Sequence, residues 1–331
     1  MRNIILNFPK QFEIGLQAAE NIKLAGPFAN IIVCGMGGSA LPGSLLPELG
    51  VKFDLPLFVH RDYGLPKIAN EKSLIICISF SGNTEETLSA YQEAIDKKYQ
   101  VIGLCTGGKL KDLAEQNNLP AAIVPNDCLQ PRFGTGYLVA AVLKILSNCE
   151  IINNQDNNLL EIAQALQPER LEQQGKNLAE KLINKIPIIY ASNQYKALAR
   201  IWKIKFNENS KVMAFWNYFP ELNHNEMVGL MQMKNEKLKM KNDNEKSKNF
   251  HFIILRDSQD NPKILKRMDI TADLIKEAVA GVDFVEIASK SKLEKVFNCL
   301  LLGDWASYYL ALAYGQNPVP VEIVEKFKKQ L

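Results

Sequence analysis

The stretch Leu74-Ile-Ile-Cys-Ile-Ser79-Phe-Ser81-Gly-Asn-Thr84-Glu-Glu-Thr87 passes from an apolar, β-rich run into small hydroxyl residues and then into a helix-compatible sequence. The same change occurs earlier, where Asn30-Ile-Ile-Val leads into Cys34-Gly-Met-Gly-Gly-Ser39-Ala. A strand that ends in small residues and enters a helix presents backbone N–H groups at the positive end of that helix. Glycine lets the backbone approach a ligand, and serine and threonine add neutral hydrogen bonds. The combination of Ser79, Ser81 and Thr84 suits a phosphate monoester. The segments hold neither a P-loop lysine nor a Gly-x-Gly-x-x-Gly followed by an acid, so a nucleoside triphosphate or a dinucleotide is not the expected ligand.

Working outward, strand signals at Ile31–Cys34, Leu57–His60, Leu74–Phe80, Val101–Thr106 and Ala121–Val124 alternate with helical runs such as Glu85–Lys97 and Leu110–Asn117. This rhythm predicts a mostly parallel sheet flanked by helices, with ligands beyond the carboxyl ends of its strands. A polar, asparagine-rich stretch at 148–158 is read as part of an interdomain connection, dividing the chain into domains of residues 1–150 and 151–331. A helical stretch at Leu159–Ile183 follows. A second α/β rhythm then begins, with strands expected at Ile186–Ala191, Val212–Trp216, Phe250–Leu255 and Phe284–Ile287 and helices at Tyr195–Phe206 and Trp305–Tyr314. The second half lacks a Gly-Gly-Ser segment, so one phosphate site per chain is expected.

At 331 residues and 47% hydrophobic content the chain can build two cores. A net charge of +3 gives no case for nucleic acid. The lysine-rich segment 234–249 mixes both signs without interleaved aromatics and reads as a solvated loop. The N-terminus does not read as a signal peptide, and no run is expected to span a membrane. Six cysteines without a C-x-x-C pair read as reduced and buried, which predicts a cytoplasmic protein. Three scattered histidines and unpaired cysteines predict neither a metal nor another cofactor. His60 and His251 read as structural histidines, and Trp202, Trp216 and Trp305 as core.

Five segments in order resemble the bifunctional phosphoglucose/phosphomannose isomerases, within the sugar isomerase (SIS) domain family. They are the two hydroxyl-rich segments taken together, Gln130-Pro-Arg132-Phe-Gly-Thr-Gly-Tyr137, Phe206-Asn-Glu208-Asn-Ser-Lys211, Phe219-Pro-Glu-Leu-Asn-His224-Asn-Glu226, and the C-terminal pair Gly303–Ala311 and Asn317–Leu331. The resemblance implies two SIS-type α-β-α sandwich domains. It also implies a cofactor-free aldose–ketose isomerase acting on hexose 6-phosphates through a cis-enediol, in a homodimer with a shared active site. In that reading Ser79, Ser81 and Thr84 grip phosphate, and Gly38 and Ser39 line the sugar side. Glu208 is the base that moves the proton between C1 and C2. His224 is the ring-opening acid, Arg132 binds substrate and stabilises the enediolate, and Lys328 assists ring opening. Phe133-Gly-Thr departs from the small apolar residues usual beside that arginine. The rival reading is a non-catalytic sugar-phosphate sensor that keeps the cradle alone. No preceding helix-turn-helix is expected, because the first strand begins near residue 30.

Overall fold

The computed structural model describes residues 1–127, 130–230, 247–328 and 330. Residues 231–246 of the lysine-rich segment, with Cys128, Leu129, Lys329 and Leu331, lie outside the described residues. The chain forms two compact units, Asn3–Leu166 and Gln167–Leu331, the latter joined by Met1–Arg2. The division falls after residue 166 rather than at 150.

The first unit contains α1 (Arg2–Leu6), α2 (Lys10–Ala18), β1 (Asn30–Cys34), α3 (Leu41–Leu45), β2 (Leu57–His60), β3 (Ser73–Ser79), α4 (Glu85–Asp96), β4 (Val101–Cys105), α5 (Gly108–Gln116), β5 (Ala121–Ile123), α6 (Thr135–Asn148) and α7 (Asp156–Ala165). Its five strands are all parallel, in the order β2-β1-β3-β4-β5. Strands β1, β3 and β4 are buried along their whole length, as continuous apolar runs in a sheet covered on both faces should be. The chain turns one way after β1 and the other way after β3, so the crevice of this sheet opens between them. The register pairs Cys34 with Cys77, which sets the Gly35–Ser39 turn beside Ser79–Thr84. Gly15 lets α2 reach α6, since a Cβ there would lie 2.4 Å from the Tyr137 carbonyl oxygen.

The second unit contains α8 (Pro168–Leu182), β6 (Ile186–Ser192), α9 (Lys196–Lys205), β7 (Phe215–Phe219), β8 (Phe250–Arg256), α10 (Pro262–Ile275), β9 (Gly281–Glu286), α11 (Lys292–Ala313) and α12 (Glu322–Lys328). Its four parallel strands run β7-β6-β8-β9. Both sheets are therefore of the expected flanked, parallel kind. The predicted helix Leu159–Ile183 is two helices. Gln167 precedes Pro168 and is driven out of the α region (φ −126°, ψ 77°), while proline opens the next helix at its first turn. The strand expected at Val212–Trp216 is Phe215–Phe219, because Lys211 sits in the left-handed region at φ 60° and the chain extends only after it. The strand expected at Phe284–Ile287 starts at Gly281, where a Cβ would lie 2.7 Å from the His251 ring.

Helix α11 is far longer than the predicted Trp305–Tyr314. It is long and apolar enough to cross a membrane by length and composition, contrary to the expectation that no run would be, yet 72% of its apolar window is buried inside the protein. That burial is against α8, where Gly175 lets the helices meet: a Cβ there would lie 2.3 Å from Trp305 Cβ. Trp202 and Trp305 are core, whereas Trp216 is only half-buried and stacks on Tyr218. Two buried lysines of this unit are paired with buried carboxylates. Lys205 meets Asp304 at 2.5 Å beneath α11. Lys295 donates to both oxygens of Asp257 at 2.8 and 2.9 Å, and Tyr195 Oη donates to Asp257 at 2.6 Å.

Burial pushes the Asp257 carboxyl up, but the hydrogen bonds from Lys295, Tyr195 and the Gln259 amide outweigh it and leave the group below its ordinary value. A carboxylate held low contributes stability that is full above the unfolded-chain value, about 3.9, and is lost as pH falls through the folded one. Asp257→Asn also strands the Lys295 charge, so it should destabilise the protein by about 3–5 kcal/mol near neutral pH. Urea midpoints measured against pH should show the gap to wild type narrowing below about pH 4.

Candidate functional site

In the first unit, the two loops that leave β1 and β3 are stitched by one bond: Ser39 Oγ accepts the Phe80 N–H at 3.0 Å. Ser39 and Ser79 are buried, whereas Ser81 is exposed and Thr84 is half-buried. Ser79 Oγ donates to Thr84 Oγ1 (2.8 Å) and accepts the Thr84 N–H (3.2 Å). In this arrangement Ser79 braces Thr84 from below, at the head of α4. Thr84 has extended dihedrals, and no side chain caps the helix, so its first-turn N–H groups remain available to an anion. Ser81 Oγ accepts the Asn83 N–H at 3.3 Å.

The next βα loop supports this one. Phe80 O accepts from the Thr106 N–H (2.9 Å) and hydroxyl (2.7 Å), and Gly82 O accepts the Leu110 N–H at 2.9 Å. Gly82 adopts φ 71°, and a Cβ there would collide with the Gly107 carbonyl, so the position is closed to any other residue.

Arg132 lies in the turn Pro131–Phe133 and is 2% exposed. The turn is seated directly on Gly38, where a Cβ would lie 2.7 Å from the Arg132 amide nitrogen. Gly38 and Arg132 lie on separate sequence segments, and the fold brings them into contact. Phe133, the departure noted above, puts its ring centroid 4.4 Å from the guanidinium carbon, a cation–π contact. Gln11 was missed. It is buried on α2, donates to Phe133 O at 2.8 Å and accepts the Gly136 N–H at 3.0 Å, fixing both sides of the arginine turn. Nothing local in the sequence marks it, because its partners are over 120 positions away.

In the second unit, Glu208 is half-buried on a π-turn, Phe206–Ser210, that continues α9. The wide turn has a cause. Lys205 and Ser210 both anchor to α11, yet five residues in an α-helix stand roughly 140° apart. A π-turn brings them toward one face. Lys205 then reaches Asp304, Asn209 Nδ2 donates to Ser307 Oγ at 2.9 Å, and Ser210 Oγ donates to Ser307 O at 2.7 Å. Glu208 is held from both flanks on a turn type that recurs at functional sites. Lys211 Nζ donates to the Glu208 carbonyl and, at 2.7 Å, to Pro320 O, tying the turn to the C-terminal segment.

His224 ends a short 3₁₀ turn, Glu221–His224, and is exposed. Within this unit it is not beside Glu208. Helix α9 carries the chain back to the amino edge of the sheet, where the π-turn lies; β7 then crosses to the carboxyl edge, where His224 follows it. Five residues of β7 separate the two edges by roughly 16 Å. Lys328 is exposed on α12 and pairs with Glu325 at 3.2 Å, while Ile323 and Phe327 of the same helix are 81% and 60% exposed. His251 bonds Asp283 at 2.7 Å inside the sheet edge, a structural role.

The crevice of the second sheet, between β6 and β8, holds an anion of the protein's own. Asp257, with Lys295 and Tyr195, occupies the position that the hydroxyl cradle takes in the first. Gly38→Ala should push the Pro131–Arg132 backbone off its seat without unfolding the sheet. Calorimetric titration with a hexose 6-phosphate, the ligand class that the resemblance implies, should show affinity falling at least tenfold while the thermal midpoint moves little.

Residues 171–331 match the bacterial phosphoglucose isomerase C-terminal SIS domain. The chain is 38% identical over 342 residues to the bifunctional phosphoglucose/phosphomannose isomerase of Caldicellulosiruptor bescii, covering 99% of this chain and 97% of that protein. It is 33% identical to the protein of that name from Aquifex aeolicus, over 92% of this chain and 91% of the other. In fold it is similar to a phosphosugar isomerase structure from Clostridium difficile 630, with a TM-score of 0.73, 16% identity, and coverage of 98% and 97%. On this similarity, and on the motifs the structure displays, the chain belongs to the bifunctional phosphoglucose/phosphomannose isomerase family.

Proposed function

We propose that this protein interconverts glucose 6-phosphate and mannose 6-phosphate with fructose 6-phosphate, through a cis-enediol and without a metal. The observation that carries the reading is Glu208, a half-buried carboxylate fixed on a π-turn by its neighbours, in a chain whose relatives carry the isomerase name. Ser81, Thr84 and the open amides of α4 bind the phosphate, with Ser79 and Ser39 setting the loops. His224 donates a proton to the ring oxygen as the ring opens, aided by Lys328. Glu208 takes the C2 proton of the aldose and returns it to C1. Negative charge develops on the O1–O2 enediolate as this happens, and the permanent charge of Arg132 offsets it. The enediol has lost the C2 stereocentre, so return of the proton to either face gives glucose or mannose 6-phosphate.

The opposite-edge placement of Glu208 and His224 supports a homodimer in which the histidine of one chain serves the glutamate of the other. The free, buried cysteines fit a reducing compartment, and we place the enzyme in the cytoplasm, in glycolysis and gluconeogenesis.

Protein treated with EDTA and given fructose 6-phosphate should form both glucose 6-phosphate and mannose 6-phosphate, each measured by a coupled assay. Binding without product would instead favour a sensor. Glu208→Gln should bind substrate normally but lose about 10²–10⁴-fold in kcat. Mixed and re-equilibrated with His224→Ala, it should regain about a quarter of wild-type activity, because half the dimers become hybrids with one intact site. No recovery would remove the shared site.

A further inference from the structure

The turn that carries His224 is held by two clamps. On one side Asn223 donates to Thr271 Oγ1 at 2.9 Å and accepts from Arg267 Nη1 at 3.2 Å, both on α10. On the other side the Glu226 carboxylate is divided between two strands. Tyr190 Oη of β6 donates to Glu226 Oε1 at 2.7 Å, and Asn217 Nδ2 of β7 donates to Oε2. His224 itself is exposed and has no hydrogen-bond partner among the described residues, so its direction is set by the backbone between these clamps. Tyr190 is the rigid member. It is fully buried in the second core, with its ring edge-on to Phe219 (5.9 Å) and Phe252 (5.2 Å). Burial first, and then Glu226, push its phenol far above the ordinary tyrosine range, so it remains a donor across any working pH.

We infer that Tyr190 is a positioning residue for ring opening: through Glu226 it fixes the turn that aims the His224 imidazole at the ring oxygen. This rests on the reading of His224 as the ring-opening acid. The sequence offers no hint of it, since a tyrosine in an apolar strand reads as core, and here the ring is core while the hydroxyl alone leaves it.

The consequence is selective. A loosely held His224 slows ring opening but leaves the Glu208 proton transfer untouched. The test compares fructose 6-phosphate with 5-deoxyfructose 6-phosphate, which lacks the oxygen needed to close a furanose ring and is permanently open. Tyr190→Phe keeps the ring in its aromatic pocket and removes only the donor. It should lower kcat on fructose 6-phosphate about tenfold with KM unchanged, and leave turnover of the open-chain substrate within twofold of wild type. Glu226→Ala, at an exposed position that does not threaten the core, should give the same selective loss. Equal losses on both substrates, or no loss on either, would overturn the positioning role. His224→Ala serves as the reference: it should abolish turnover of the ring-forming substrate and spare the open one. If His224→Ala instead retains both activities, the ring-opening assignment itself fails, and the positioning role with it, whatever the tyrosine variant does.

Discussion

The bond from the Phe80 amide to Ser39 Oγ closes the crevice of the first unit, and the cradle there depends on it. It can form only because β1 and β3 are parallel neighbours in a register that pairs Cys34 with Cys77. With the strands so aligned, a Gly-Gly-Ser turn and a Ser-x-Ser-Gly-Asn-Thr turn leave the sheet side by side. Gly38 can then accept the Arg132 turn against its backbone, and Ser79 can set Thr84 at the mouth of α4. A parallel sheet exposes its loop amides at one edge, and the hydroxyls supply contacts that carry no charge of their own. The turn seated on Gly38 carries the permanent positive charge of Arg132.

The second unit uses the same topology for a different end. Its crevice is filled by Asp257, neutralised by Lys295 and Tyr195, so the position that carries the hydroxyl loops in one sheet holds an internal anion in the other. The two residues proposed for its chemistry lie in two other places. Glu208 sits at the amino edge on a π-turn that α11 enforces through Asp304 and Ser307, and His224 sits at the carboxyl edge on a turn clamped by Asn223 and Glu226. In each case an exposed or half-exposed side chain sits on a turn that is tied back to buried polar groups, Asp304 and Ser307 for Glu208, Tyr190 and Thr271 for His224. The cost of leaving those partners unsatisfied keeps the geometry in place.

Several elements differ from the sequence expectation. The single helix across 159–183 broke at Pro168, because a residue before proline is driven from the α region. The strand expected to start at Val212 slid three residues, because Lys211 takes the left-handed conformation that ends the π-turn. The domain division fell after α7 rather than in the asparagine-rich stretch, which joins α6 to α7 within the first unit.

What the sequence determined by itself was local and periodic: the alternation of apolar runs with helical stretches, hence two parallel flanked sheets, and the glycines and hydroxyls that follow particular strands. The segments bearing Arg132, Glu208 and His224 were also legible, because each carries its chemistry in a short contiguous run. What only the tertiary structure decided was which of these meet. Gln11 reaches the arginine turn across more than 120 residues, Asp304 fixes the turn that displays Glu208 from 99 residues away, and Tyr190 secures the His224 turn through a carboxylate 36 positions on. A hydrogen bond between distant segments leaves no periodicity and no composition in the chain. It exists only once the strands have fixed their register and the helices their seats.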